Sequence, residues 1–183
     1  FAFGRTPEPM HAIGIALYAS SVVVLLFLLR RLVADARVAC LAAVLFAVHP
    51  LHVESVAWIA GQKDLLAMLF VLLALLAHAR AGRWLPAVPV LVLLAMLSKS
   101  MSIAVIALMI AQDVLLSRRP SIPTYAATSA VICGAMILHM RVGAVVHMVA
   151  EPAGGSRLTG AMTMGPVWLR YLANCLFPTR LSV

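Results

Sequence analysis

Charged side chains are scarce in this sequence. Asp, Glu, Lys and Arg make up 11% of its 183 residues, whereas hydrophobic residues make up 64%. Soluble globular domains contain about 25% charged and roughly 45 to 50% apolar residues. A chain with so little charge and a mean hydropathy of +1.06 does not match an ordinary water-soluble domain. The composition therefore indicates an integral membrane protein in contact with the lipid bilayer.

Cysteine is also sparse, and several sequence motifs are absent. The three cysteines, Cys40, Cys133 and Cys175, are widely separated and odd in number, so they are interpreted as small apolar residues and not as a disulfide framework or metal site. The sequence lacks a Ser-His-Asp arrangement, a Walker loop, a dinucleotide fingerprint and a Cys-x-x-Cys pair. Hydrolase, nucleotide-driven pump and redox functions are therefore without support.

Apolar runs divide the chain into segments of unequal length. A helix needs about 20 residues to span a bilayer, with a range of roughly 17 to 25. The first and third runs approach that length with their flanks, whereas the second and fourth do not. The short runs indicate helices that stop beside a water-filled cavity, or helices extended by neighbouring residues; both interpretations stay open. The runs are residues 13–29, 38–48, 65–79, 85–97, 102–116, 125–140 and, more weakly, 166–177.

The predicted fold is all-α, a polytopic transmembrane helical bundle of about six spans within a single transmembrane domain over residues 1–183. The spans occupy residues 1–140. Residues 141–165 have a weak pattern and are predicted to form an external loop. Residues 166–177 form either a further span or an interfacial helix, and the interfacial helix is favoured. A chain that begins at Phe1 and ends at Val183 is expected to be an internal piece of a longer polypeptide.

The formal charge of +8 follows a membrane pattern along the chain. If each run crosses once, three loops that carry seven arginines lie on one side, while Lys63 and Lys99 lie on the other. The positive-inside rule makes the arginine loops cytoplasmic. Residues 49–64 and the turn around Lys99 are then predicted to face the periplasm or lumen, and no nucleic-acid partner is expected. The arginines are Arg30, Arg31, Arg37, Arg80, Arg83, Arg118 and Arg119.

Residues 49–64 concentrate ionisable side chains between two apolar runs. Placing an ionisable group at membrane depth costs roughly 2.5 to 3.5 kcal/mol, so this concentration predicts a functional site. Pro50 ends the second run, and residues 51–60 are predicted to form a short amphipathic helix along the outer surface. The candidate side chains are His49, His52, Glu54, Lys63 and Asp64, with Lys99 from the next external turn.

The two imidazoles allow more than one interpretation. His49, His52 and Glu54 are ligand types that suit zinc or manganese. However, Pro50 breaks the helix that would place both imidazoles on one face. Contacts to hydrogen-bonding or phosphate groups in a polar cavity are therefore favoured, and interfacial anchoring is the alternative. No metal site and no cofactor are predicted, with a divalent metal kept as the less favoured alternative.

Five ionisable side chains near the ends of the apolar runs also have predicted roles. Asp64 favours a helix N-terminus, and Lys63 would be available to an anionic group at the outer face. Lys99 either snorkels to the interface or, as favoured here, points into an internal cavity as partner to a phosphate or a carboxylate. On the cytoplasmic side, Asp113 is predicted to pair with Arg118 or Arg119. His78 is predicted to be an interfacial or loop residue without an evident partner.

The segment LFAVHPLHVESVAWIAGQKDLLA, residues 45–67, closely resembles the membrane half of the transmembrane and tetratricopeptide-repeat proteins, with bacterial members nearest. Further matches are His11 at the start of the first span, Leu97-Ser98-Lys99, and Tyr171-Leu172 near the end. The resemblance covers most of the chain and is loosest over residues 140–164.

That resemblance implies a partial GT-C-like core, similar to protein O-mannosyltransferases. Such enzymes take a sugar from a polyprenyl phosphate and deliver it to a protein or other hydroxyl acceptor, here at the periplasmic face of a bacterial inner membrane. The resemblance also implies an acidic catalytic pair in an upstream external loop, and C-terminal tetratricopeptide repeats. No catalytic residue is therefore assigned within this chain, which is expected to be inactive alone. Binding of the donor phosphate and orientation of the sugar are assigned to His49, His52, Glu54, Lys63, Asp64 and Lys99.

Two other functions stay open. A membrane anchor or scaffold for tetratricopeptide repeats would tolerate alanine at all these positions. A transporter would need polar residues at mid-depth, where Lys99 is the one candidate.

Overall fold

A computed structural model describes residues 8–145 and 157–176, and the regular elements in these ranges are all helical. The predicted all-α class is confirmed. Three short 3-10 turns, Ile59–Gly61, Gly82–Trp84 and Ser100–Ala104, lie between the α-helices. The α-helices are α1 (Glu8–Leu32), α2 (Ala36–Ala47), α3 (His52–Ala57), α4 (Gln62–Arg80), α5 (Ala87–Ser98), α6 (Val105–Leu115), α7 (Ile122–Val145) and α8 (Arg157–Leu176).

Three helical stretches in the described part of the chain are long and apolar enough to cross a bilayer: Glu8–Leu32, Ile59–Arg80 and Ile122–Gly143. The other apolar helices of the predicted spans, α2, α5 and α6, have 12, 12 and 11 residues. At 1.5 Å per residue, 12 residues cover about 18 Å, against a hydrocarbon core of about 30 Å. The second apolar run is short, as predicted, whereas the fourth is extended by the 3-10 turn before it and forms an apolar helical stretch over Gly82–Ser98.

The chain forms two compact units, residues 1–139 and 140–183. In the first unit, α4 is central because it packs against α1, α5 and α6. Every residue from 74 to 79 is buried, and the three alanines among them, Ala74, Ala77 and Ala79, allow neighbouring backbones to approach closely. The core around them is completed by Leu28, Leu75, Leu76, Val88, Val92, Met96, Val105, Met109 and Ile132.

The segment between α2 and α4 is shaped by three local features. Asp35 caps the start of α2, where its carboxylate accepts a hydrogen bond from the Arg37 backbone N–H at 2.7 Å. Pro50 follows the end of α2, and α3 then covers only His52–Ala57. Trp58 is extended, with φ −92° and ψ 122°, so the helix predicted over residues 51–60 is interrupted there. The interruption lets the chain fold back so that Gly61 packs on the Ser55 backbone.

The second unit departs from the predicted boundaries. Helix α7 continues to Val145 and α8 begins at Arg157, so both ends of the predicted loop 141–165 are helical; residues 146–156 lie outside the described residues. Arginine forms helices well and a glycine costs only about 1 kcal/mol, so neither Arg141 nor Gly143 stops α7. Pro166 lies inside α8 instead of at its start. Helix α8 is not among the three stretches with the length and hydropathy of a span.

Candidate functional site

A pocket of about 450 Å³ lies at the junction of α1, α2 and α3. Small-molecule pockets usually measure roughly 300 to 1,000 Å³, so this volume is sufficient for part of a ligand. The pocket has mainly apolar walls and three imidazoles. Its lining residues are His11, Ile15, Tyr18, Ala47, Val48, His49, His52, Val53, Val56 and Ala57.

Aromatic rings fix one wall of the pocket. The Tyr18 hydroxyl lies 3.0 Å from the carbonyl oxygens of both Phe46 and Ala47, and it donates to these acceptors at the end of α2. The centroid of the His52 ring is 4.3 Å from that of Phe46 and 5.4 Å from that of Tyr18. The imidazole of His52 is therefore held between α1 and α2 although it belongs to α3.

The two imidazoles predicted from the sequence are brought together here. The ring centroids of His49 and His52 are 6.0 Å apart. The Nδ1 atom of His49 accepts a hydrogen bond from the Leu51 backbone N–H at 3.3 Å, so the neutral ring carries its proton on Nε2. Burial, and secondarily the nearby His49, lower the pKa of His52 below its ordinary value. At neutral pH the His52 ring is therefore mainly uncharged and offers one N–H donor.

The lowered pKa of His52 predicts that acid weakens the fold. Below about pH 6.5 the unfolded chain binds a proton at this residue that the folded chain resists. The free energy of unfolding is therefore expected to fall as pH drops through that value toward the folded pKa. Thermal unfolding in detergent between roughly pH 7.5 and pH 5 checks this, with His52→Gln as the control. An equally steep pH dependence in both proteins would assign the effect to other groups.

Two predicted site residues lie away from the pocket. The side chains of Glu54, on α3, and Lys63, in the first turn of α4, are exposed and do not contribute to its lining. Within residues 8–145 and 157–176, no group of three His, Cys, Asp or Glu side chains is arranged to hold a metal ion. Glu54 is therefore exposed on α3, whereas His49 and His52 line the pocket.

The remaining predicted residues, Asp64 and Lys99, pair with each other. Lys99 Nζ lies 2.8 Å from Asp64 Oδ2, which connects the first turn of α4 to the end of α5. The side chain of Lys99 is 41% exposed and that of Asp64 is 31% exposed, so water reaches the pair. The other carboxylate oxygen of Asp64 is buried and has no hydrogen-bond partner among the described residues. Lys99 is thus the partner of a carboxylate, one of the two partners proposed from the sequence.

The sequence-based prediction missed a buried polar cluster formed by His78, Asp113 and Tyr125. His78 Nε2 lies 2.9 Å from Asp113 Oδ1, and the Tyr125 hydroxyl donates to Asp113 Oδ2 at 2.8 Å. His78 is only 4% exposed. The predictions that Asp113 pairs with an arginine, and that His78 lacks a partner, are therefore wrong. Asp113 follows the buried residues Val105 and Met109 at four-residue spacing, a signal that places it on the inner face of α6.

The predicted arginine partner of Asp113 makes a different contact. Ser117, with a positive φ of 49°, redirects the chain after α6. The Arg118 guanidinium then donates to the Ala79 carbonyl at 2.7 Å, at the end of α4. A basic side chain at this position satisfies a carbonyl that the helix itself leaves unbonded.

Comparison with curated proteins finds several relatives named protein O-mannosyl-transferases. The chain is 42% identical over 82 residues to TMTC1 of Homo sapiens, and these residues are 44% of this chain and 9% of that protein. It is 52% identical over 54 residues to TMTC4 of Homo sapiens, covering 30% of this chain and 7% of that protein. It is 32% identical over 126 residues to TMTC3 of Mus musculus, and the match covers 64% of this chain and 14% of that protein.

These similarities confirm the predicted resemblance to the membrane part of the transmembrane and tetratricopeptide-repeat proteins. The chain spans about a tenth of the length of these relatives, from 7% to 14%. No protein-family model and no solved structure matches the chain.

Proposed function

We propose, from this similarity to protein O-mannosyl-transferases, that the chain is the membrane part of a glycosyltransferase. The enzyme moves a sugar from a polyprenyl-phosphate donor to a hydroxyl group of a protein or other acceptor. The reaction takes place at the periplasmic or lumenal face, opposite the arginine loops, and the membrane is a bacterial inner membrane.

The pocket at the junction of α1, α2 and α3 carries the proposal. Its walls include Ile15, Val48 and Val53, which suit an isoprenoid chain, and its imidazoles suit a phosphate. A polyprenyl phosphate presents these two chemistries next to each other. The exposed apolar side chains of α2, which include Leu41, Val44 and Leu45, extend the apolar surface toward the lipid.

Stabilisation of the departing phosphate is the task we assign to the polar residues. When the bond from sugar to phosphate breaks, negative charge grows on the phosphate, and fixed donors or cations nearby lower the barrier. His49 and His52 supply N–H donors from the pocket. Lys63, which lies outside the pocket lining, has no carboxylate within ion-pair distance in the described ranges, and we assign it to the phosphate as a cation that reaches over from the start of α4.

The carboxylates have complementary roles in this proposal. Asp64 holds Lys99 at the outer ends of α4 and α5, so the ammonium group stays in place until a phosphate approaches. Glu54, exposed on α3, orients hydroxyl groups of the sugar by accepting hydrogen bonds.

A double variant, His49→Ala with His52→Ala, tests the proposal in the full-length protein. Transfer from a polyprenyl-linked sugar is expected to fall about 100-fold or more, because two donors to the phosphate are lost. The rate is measured with radiolabelled donor at fixed acceptor concentration.

His139→Ala is the control, since His139 is exposed on α7 and away from the pocket. Its rate is expected to match that of the unchanged protein. If the double variant also keeps full activity, the imidazoles have no part in transfer. The membrane-anchor function would then be favoured.

A further inference from the structure

Two arginines gather around an exposed indole just after α4. The guanidinium carbons of Arg80 and Arg83 lie 5.3 Å and 5.4 Å from the centre of the Trp84 ring. Trp84 is 40% exposed, and both arginine side chains are exposed as well. A guanidinium within about 6 Å of an aromatic ring is attracted to its face, so one indole holds both cations.

A third arginine reaches the same end of α4. Arg118, from the turn after α6, donates to the Ala79 carbonyl, one residue before Arg80. Three guanidinium groups therefore occupy the last turn of α4 and the 3-10 turn Gly82–Trp84 that follows it. They lie at the end of α4 opposite the Asp64 and Lys99 pair, about 25 Å away along the helix.

No acidic side chain neutralises this cluster within the described part of the chain. The two ion pairs found there are His78 with Asp113 and Lys99 with Asp64, and neither includes an arginine. Asp113 already accepts hydrogen bonds from His78 and Tyr125. Because like charges are held together without a counter-ion, the local potential favours an anion.

The backbone around the cluster is held in an unusual conformation. Ala81 has a φ of 55°, a value uncommon for a residue with a side chain, and Gly82 has a φ of 56°. Such conformations cost about 1 to 3 kcal/mol and persist only where surrounding contacts impose them. Here the buried bonds from His78 to Asp113 and from Gln112 to the Leu75 carbonyl fix α4 against α6. The tight turn then returns Arg83 and Trp84 toward Arg80.

We propose that Arg80, Arg83 and Trp84 bind the headgroup phosphate of an anionic phospholipid in the leaflet that the arginine loops face. Guanidinium groups can bind phosphate oxygens in bidentate geometry. Tryptophan is enriched at the level of the lipid headgroups. Basic sites on the cytoplasmic side of helical bundles bind anionic headgroups in this way. This site is separate from the proposed donor pocket and does not depend on it.

The test compares two double variants that remove the same charge from the predicted cytoplasmic face. Arg80→Gln with Arg83→Gln removes the arginines beside Trp84, whereas Arg30→Gln with Arg31→Gln removes two exposed arginines from the last turn of α1. Native mass spectrometry of the full-length protein measures retention of phosphatidylglycerol and phosphatidylcholine during titration. The first variant is expected to bind phosphatidylglycerol roughly tenfold more weakly, and the second within about twofold of the unchanged protein.

Each outcome decides the proposal. An equal loss of phosphatidylglycerol binding in both double variants would show that the overall positive charge attracts the lipid and that Arg80 and Arg83 form no specific site. No loss in the first variant would exclude the site. Competition by millimolar inorganic phosphate would reassign it to a soluble anion. Trp84→Leu, which keeps every charge, is expected to weaken phosphatidylglycerol binding several-fold, and phosphatidylcholine binding is expected to stay constant in all variants.

Discussion

Replacing Asp113 with alanine is expected to lower the free energy of unfolding by about 3 to 5 kcal/mol. The change removes the acceptor of both the His78 imidazole and the Tyr125 hydroxyl. His78 is buried, and its Nδ1 atom already lacks a hydrogen-bond partner among the described residues. The variant therefore leaves an imidazole with no partner in an apolar core. In a protein of this size, such a loss lowers the melting temperature by roughly 10 °C in a detergent thermal melt.

A second variant tests whether the instability comes from leaving His78 without a partner or from losing the polar pair as a whole. Replacing both His78 and Asp113 with leucine removes the polar groups together and keeps most of the volume. Exchange of a whole buried pair for apolar residues is often neutral or stabilising, so the double variant is expected to melt well above the Asp113→Ala protein. If the double variant melts below the Asp113→Ala protein, the hydrogen-bonded pair itself stabilises the fold more than leucines of similar volume do.

Replacing Gly61 with alanine is expected to cost about 3 kcal/mol and to displace α3. A Cβ atom at this position would stand 2.6 Å from the Ser55 carbonyl oxygen and 3.0 Å from the Ser55 Cα. Both atoms belong to the backbone, so a rotamer change cannot relieve the clash. Because His52 belongs to α3, the displacement is also expected to lower the sugar transfer that we propose for the full-length protein. Thermal melting and the transfer assay on the same preparation measure the two effects.

Gly134→Ala is the matched control for this substitution. No atom lies within 4 Å of a Cβ built at Gly134, which is in the middle of α7. Alanine there is expected to be neutral or to stabilise the helix by up to about 1 kcal/mol, since it restricts the unfolded chain and forms helices better than glycine. If Gly61→Ala behaves like Gly134→Ala, α3 does not pack on Gly61 as described.

The helical class and the short second apolar run could be predicted because they follow from local composition and from Pro50. The ends of α7 and α8 could not, since neither Gly143 nor Pro166 imposes a boundary. A proline inside a helix removes one hydrogen bond, but it does not always end the helix. The break at Trp58 was also missed, because it depends on how Gly61 meets the Ser55 backbone in three dimensions.

Only the part of the candidate site that local sequence determines could be predicted. His49 and His52 are three residues apart, so local sequence brings them close. The partners of His78 and Lys99 are each 35 residues away along the chain. Only the packing of α4 against α5 and α6 decides these pairs. The four-residue spacing of buried positions on α6 could have placed Asp113 inward, but it could not have identified His78 as the residue opposite.

The brevity of α2 has a consequence for the surrounding lipid. A helix of 12 residues with an apolar outer face cannot match the thickness of an undisturbed hydrocarbon layer. One response to such a mismatch is a thinner leaflet next to the helix, which would bring phosphate headgroups inward toward His49. In the function proposed above, the phosphate of a polyprenyl donor would then lie at the depth of the imidazoles before it enters the pocket.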